Sequence, residues 1–204
     1  MKKKELRKKA IVWHRQEILS AAKTVFLRKG FHKATMDDIA RQTGLSKGAL
    51  YLYFPSKENL LIELIIQGVE GQANLAEQVA MAKEGSLQKI KNYVFSSLEY
   101  FHENRNLVMV VIMLENDAVC KGLHKSIHDR ALQMMTKVTE YITLVMKEGI
   151  KEGVLKNKDP KKMALALAGM MHMFITTSLF HNIKFSTNEY AEFIIETFLE
   201  GVKG

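Results

Sequence analysis

Proline occurs only twice in 204 residues, at Pro55 and Pro160, so almost the whole chain is free of the residue that most firmly stops a helix. The apolar residues use that freedom at helical spacing. Ile18, Ala22, Val25 and Phe26 fall on one stripe, with Arg15, Lys23 and Lys29 off it, as an amphipathic helix requires. No segment alternates apolar and polar residues as a half-buried strand does, and no Asn-Gly hairpin turn occurs. An all-α fold follows, of about nine to ten helices. The expected spans are roughly 11–29, 36–42, 46–54, 56–82, 86–103, 106–119, 124–152, 160–181 and 187–201. Gly30, Thr43-Gly44, Glu84-Gly85, Asn104 to Asn106, Val119 to Gly122, Gly153 to Asp159 and Asn182 to Ser186 mark the breaks. Apolar residues make up 47% of the chain, enough for a sizeable core.

Charge is distributed unevenly. Residues 1–60 hold fourteen Lys and Arg against five Asp and Glu, an excess of +9, whereas the other 144 residues hold sixteen against seventeen. The lysine-rich start supplies part of the excess, but the stretch from Arg15 to Lys57 keeps the bias without it. A basic head on a neutral body points to a polyanion partner.

The basic start lacks the apolar stretch and cleavage site of a signal peptide. A single cysteine, Cys120, excludes a disulfide scaffold and fits a cytoplasmic protein. From Met163 to Ile183 no charged residue appears, and that length matches a bilayer. The run nevertheless contains His172, Thr176, Thr177, Ser178, His181 and Asn182. It reads better as a helix buried on all sides, and the expectation is no membrane.

The chemistry concentrates between Thr35 and Lys57. Thr35 suits a helix N-cap, with Asp38 three residues on in a capping-box arrangement. Gly44 suits a turn of positive φ, and Ser46 and Ser56 suit two further caps. Two short helices about a glycine turn form a helix-turn-helix. Ile39 and Leu50 face its core, Ala40 allows close approach and Leu45 fills the space beneath the turn. The second helix then offers Ser46, Lys47, Gly48, Ala49 and Tyr51 to a major groove. Lys47 can reach a phosphate or a guanine edge, Gly48 and Ala49 let the backbone approach, and Ala49 can touch a thymine methyl. Tyr51 and Tyr53 bring hydroxyls and flat rings beside the sugar-phosphate chain. Thr35 and Lys57 stand at helix N-termini, whose free N–H groups favour phosphate. Phe54 is assigned to the core and Arg41 to solvent.

These residues resemble a family. The run Ala34-Thr-Met-Asp-Asp-Ile-Ala-Arg-Gln-Thr-Gly-Leu-Ser-Lys-Gly-Ala-Leu-Tyr-Leu-Tyr-Phe-Pro-Ser-Lys-Glu-Asn-Leu-Leu, preceded by Ile18 to Phe26 and Gly30-Phe31, is similar to the DNA-binding head of TetR-family transcriptional regulators. The resemblance is specific over about residues 11–65. It implies an all-helical homodimer with a three-helix N-terminal DNA-binding domain, 11–71, and a C-terminal ligand-binding and dimerisation domain, 72–204. It implies phosphate contacts at Thr35 and Lys57, positions at or near base edges for Lys47, Gly48 and Tyr51, and a backbone contact for Tyr53. It also implies that the helix from Lys57 transmits ligand binding, and that double-stranded operator DNA is the partner.

Methionine is concentrated in the body: Met109, Met113, Met134, Met135, Met146, Met163, Met170, Met171 and Met173 all lie beyond residue 105. Thioethers adapt to apolar ligands, although each also suits ordinary core packing. Phe101, Met109, Met113, Met134, Met170, Met173 and Phe174 are the candidate lining for a small hydrophobic effector. Small residues at Ala164, Ala168 and Gly169 let helices pack closely, and the resemblance implies that the helices near 124–152 and 160–181 pair with a second copy to form the homodimer. His124 and His128, at i,i+4, have metal-ligand spacing, but no Glu completes a His-Glu-x-x-His motif. No cofactor, metal or catalytic group is therefore expected. The reading is a repressor released from a palindromic operator by a hydrophobic ligand. The alternatives are a metal-responsive regulator of the same family and a single-pass membrane protein anchored by 163–183.

Overall fold

A computed structural model of the chain describes residues 2–114, 121–180 and 186–204, with side chains described for these except 2–12, 106–114, 121–128, 131, 179 and 180. The described residues form eight helices: α1 (Lys2–Lys29), α2 (Met36–Thr43), α3 (Lys47–Tyr53), α4 (Lys57–Met81), α5 (Ser86–Leu114), α6 (Lys121–Lys151), α7 (Pro160–Phe180) and α8 (Thr187–Val202). They include no strand, only an isolated bridge between Leu155 and Lys203.

The all-α class is as expected, and the helix count is slightly lower. Two spans expected on either side of residues 104–106 are one helix, α5. The polar cluster there contains neither Gly nor Pro, and the Asn104 side-chain amide donates to the Tyr100 carbonyl at 2.8 Å. A polar run that satisfies the helix backbone does not end it. The first helix also begins earlier than residue 11, because lysines are good helix formers and nothing among them breaks the chain. Gly122, expected in a break, lies inside α6.

The chain divides into two compact units, Met1–Gln67 with Asn106–Ile127, and Gly68–Arg105 with His128–Gly204. In the first, Ile18, Leu19, Ala22, Val25 and Phe26 of α1 are buried with Ile39, Leu50, Phe54, Leu60 and Leu61. Arg15 and Gln16 of α1 meet α4 at Glu63 and Gln67, whereas Lys57, at the start of α4, meets carbonyls beyond the end of α1. The two helices therefore run antiparallel and frame the short α2 and α3.

In the second unit, Ile90, Val94 and Leu98 of α5 are buried with Ile142, Val145 and Met146 of α6, Leu167 of α7 and Ile194 of α8. Polar contacts join α5 to α6 and to Glu152 just beyond it. Lys89 is only 4% exposed and donates to both carboxylate oxygens of Glu148, at 2.9 and 2.7 Å. Ser86 donates through its hydroxyl and its amide to Glu152, at 2.6 and 3.2 Å. These two bonds hold the Glu152 carboxyl below its ordinary pKa. The chain end is fixed to the turn after α6, where the Lys156 amide donates to the Val202 carbonyl at 2.7 Å. Among the described residues no helix is long and apolar enough to cross a membrane.

Candidate nucleic-acid interface

Each turn of the first unit is set by a side chain or a glycine suited to it. Gly30 and Gly44 take φ of 76° and 69°, the left-handed conformation that costs other residues more than glycine. Thr35 caps α2, accepting from the Asp38 amide at 3.1 Å while the Asp38 carboxylate accepts from the Thr35 amide at 3.2 Å. This is the reciprocal box expected from the spacing. Ser46 caps α3, accepting from the Ala49 amide at 3.2 Å. Between them the Thr43 hydroxyl donates back to the Ala40 carbonyl at 3.0 Å and closes the end of α2.

Asp38 does more than cap. It is 6% exposed, yet it accepts from Lys29 at 2.7 Å and from Arg41 at 2.6 Å. The Lys29 ammonium, the Thr35 bonds and the Arg41 guanidinium hold its carboxyl well below the ordinary range. A buried carboxylate without such partners would be costly. Here it clasps α1 to α2 and fixes the angle at which α2 and α3 leave α1. The capping box was legible in the sequence, but the lysine nine residues upstream was not.

The proposed recognition face lies on α3. Leu50 is fully buried and Phe54 nearly so, anchoring one side. Lys47 and Gly48 are exposed and Ala49 is half-buried. Tyr51 is 43% exposed and Leu52 87%. At Gly48 an added Cβ would meet nothing within 4 Å, so the helix surface there is open. Lys47 pairs with Asp37 at 2.8 Å, and that hydrogen bond and charge raise its pKa. Tyr53 is half-buried, its ring 6.2 Å from His14, and its carbonyl accepts from Arg15 at 3.1 Å. The Arg15 guanidinium also lies 4.3 Å over the Phe54 ring. Arg15 thus holds the end of α3 against α1, a role without a local sequence signature.

Lys57 was expected at a helix start, and it begins α4. Its ammonium donates to the carbonyls of Phe31, His32 and Ala34 at 2.9, 3.0 and 3.1 Å and lies 4.7 Å over the Phe31 ring. All three of its protons are engaged in fastening the α1–α2 turn. A phosphate at this position would meet the backbone N–H groups of α4.

The candidate ligand residues separate by burial. Met134 is buried, Phe101, Met170 and Phe174 are half-buried, and Met173 is 66% exposed. Phe174 packs on Tyr190 and Phe193, with ring centroids 4.9 and 5.7 Å away. The side chains of Met109, Met113, His124 and His128, and Cys120, lie outside the described residues. Among those described, no group of three or more His, Cys, Asp or Glu is placed to hold a metal ion.

The family model for bacterial regulatory proteins of the tetR family matches residues 18–64, from within α1 into α4. Over 54 residues the chain is 50% identical to the HTH-type transcriptional regulator YfiR of Bacillus subtilis strain 168, covering 26% of each chain. It thus spans about a quarter of the length of that relative. It is 23% identical over 194 residues to the fatty acid metabolism regulator protein of the same organism, covering 91% of this chain and 94% of that one. The crystal structure of the transcriptional regulator FadR from Bacillus subtilis in complex with stearoyl-CoA matches with a TM-score of 0.71. At 20% identity, it covers 91% of this chain and 98% of the other, a likeness of fold.

Proposed function

Because the chain belongs to the TetR family of transcriptional regulators, we propose that it is a homodimeric repressor of a palindromic operator, released when a small hydrophobic ligand enters its C-terminal body. One observation carries the operator half of this reading. The N-terminal unit exposes the outer face of α3, with Lys47, Gly48 and Tyr51 clear of the core that Leu50 and Phe54 anchor. Lys47 and Tyr51 meet base edges or phosphates, Gly48 and Ala49 allow the approach, and Tyr53 lies beside the backbone. Thr35, Ser46 and Lys57 mark helix starts, and those of α2 and α4 receive phosphates through their N–H groups. In this division residues 11–71 bind DNA and 72–204 bind ligand and dimerise.

Exposed apolar side chains on α6 (Leu132, Met135 and Leu144) and on α7 (Leu165 and Met173) support pairing of two copies through these helices. Ala166 and Gly169 are exposed on α7 and permit close approach. A long acyl chain is the favoured ligand class, supported by the relative named for fatty acid metabolism and by the fold neighbour that holds stearoyl-CoA. Of the candidate lining, Phe101, Met134, Met170 and Phe174 of the second unit remain proposed, and the exposed Met173 goes to the pairing face. Release requires the ligand to bind the non-operator form more tightly. A coupling of about 1–3 kcal/mol lowers operator affinity about 5- to 150-fold.

The test is a gel shift on duplex DNA flanking the gene. K47A and Y51A each weaken binding about 5- to 150-fold, from about 1–3 kcal/mol per base contact, without changing the melting temperature. Saturating long-chain acyl-CoA releases the wild-type complex. Wild-type affinity in both variants would overturn the assigned face. A complex indifferent to acyl-CoA and to free fatty acids would overturn the ligand class.

A further inference from the structure

The most exposed large apolar side chain among the described residues is Leu52, at 87%. It lies on a helix whose other large apolar residues serve the core or carry a hydroxyl. Around α3, taking Leu50 as the buried reference, Gly48 falls about 160° and Leu52 about 200° round the axis. They are one turn apart on the same line. Lys47 and Tyr51 flank that line on one side, Ala49 and Tyr53 on the other. The centre of the outward face is therefore a glycine followed by a leucine, and the charged and hydroxyl-bearing residues are its margins.

That arrangement has a chemical meaning on a duplex. Gly48 adds no side chain to hold the groove off, and a Cβ there would meet nothing within 4 Å. Leu52 offers branched methyl groups in a segment that is otherwise strongly basic. In a major groove the apolar feature of a base edge is the thymine C5-methyl group. An exposed leucine loses favourable free energy in water and regains it against such a methyl. A protein partner for the same face would have to cover Lys47 as well, in the segment where the chain carries its +9 excess. Charge complementarity favours DNA.

We propose that Leu52 is a specificity-determining residue that packs against a thymine methyl in each operator half-site. This inference rests on the operator reading above and adds to it the identity of one base and the residue that reads it. Leu52 contributes apolar contact; Lys47 and Tyr51 contribute the polar and electrostatic contacts beside it.

The experiment selects a binding site from a random duplex library with the full-length wild-type protein. Each thymine of the selected half-site is then replaced by deoxyuridine, which removes only the methyl group. One replacement is expected to lower wild-type affinity about four-fold, the equivalent of about 0.8 kcal/mol for one buried methyl-sized group. L52A is expected to bind the thymine site more weakly and to show no further loss on the deoxyuridine site. Its melting temperature is expected to match the wild type, because the side chain is exposed and alanine favours helix. If L52A retains wild-type affinity, or loses the same factor on deoxyuridine as the wild type does, the inference is overturned while the operator reading stands. If L52A binds DNA normally but alters the oligomeric state measured by sedimentation, the face belongs to a protein contact and the inference fails. If the wild type enriches no site at all, the operator reading falls and this inference with it.

Discussion

Asp38 accepts hydrogen bonds from Lys29, from the Thr35 amide and from Arg41, and its carboxyl is correspondingly held below its ordinary value of 3.8. A folded-state pKa depressed in this way contributes stability above the unfolded value, and that contribution is lost as pH falls through the folded one. D38N should therefore melt below the wild type at pH 7. The gap should narrow steadily as pH is lowered below 3.8, and thermal melts across that range read it directly. Asp37, one residue earlier, behaves differently. It is exposed and pairs with the exposed Lys47, a contact contributing at most about 1 kcal/mol. It also places an anion beside the proposed DNA face. D37N should leave stability nearly unchanged and tighten operator binding by up to about five-fold, measured by fluorescence anisotropy. Neither partner of Asp38 outside its own capping box was legible in the sequence. Lys29 belongs to another helix, and only the turn at Gly30 brings its ammonium back.

The local signals at Thr35, Gly44 and Ser46 placed α2 and α3 nearly to the residue, because caps and a left-handed turn act within four positions of the chain. The single span of α5 is not legible for the opposite reason. Asn104 and Asn106 look like a break, yet α5 runs unbroken from Ser86 to Leu114, with the Asn104 side chain bonded back to the Tyr100 carbonyl. Long-range ties such as Lys57 to the carbonyls of residues 31, 32 and 34, or Lys89 to Glu148, have no periodicity to announce them. G44A forces a Cβ into a left-handed conformation and should cost about 1–2 kcal/mol, measured by urea unfolding. In the second unit, K89A leaves Glu148 without its bidentate partner. It should destabilise by about 1.5–3 kcal/mol, the range for hydrogen bonds to charged groups. G149A should also destabilise, because a Cβ there would stand 2.6 Å from Leu155 and 2.8 Å from the Ser86 hydroxyl.

At the scale of the whole molecule the proposed function needs two copies, since one short recognition helix presents too few contacts for a specific site. The exposed Leu165 and Met173 lie on the same helix as the exposed Ala166 and Gly169. L165E combined with M173E should shift sedimentation from dimer to monomer. Operator affinity should fall about 100- to 10,000-fold as the second half-site ceases to be held in reach of the first. The head was more legible than the body for a physical reason. A helix-turn-helix demands particular residues at particular places, whereas the packing of a helical body is satisfied by many combinations of Leu, Met, Phe and Ala. Burial alone separates Met134 from Met173, and nothing in their spacing does so.

The central claim is that the basic N-terminal unit, presenting α3, binds duplex DNA and displaces counterions from its phosphates. Operator affinity measured between 50 and 200 mM salt tests it most directly. Six to ten phosphate contacts predict a straight log–log line and a fall of about 10³ to 10⁵ across that range. K47A should lower the slope by about one contact if Lys47 touches a phosphate. An affinity that stays level with salt would contradict the account.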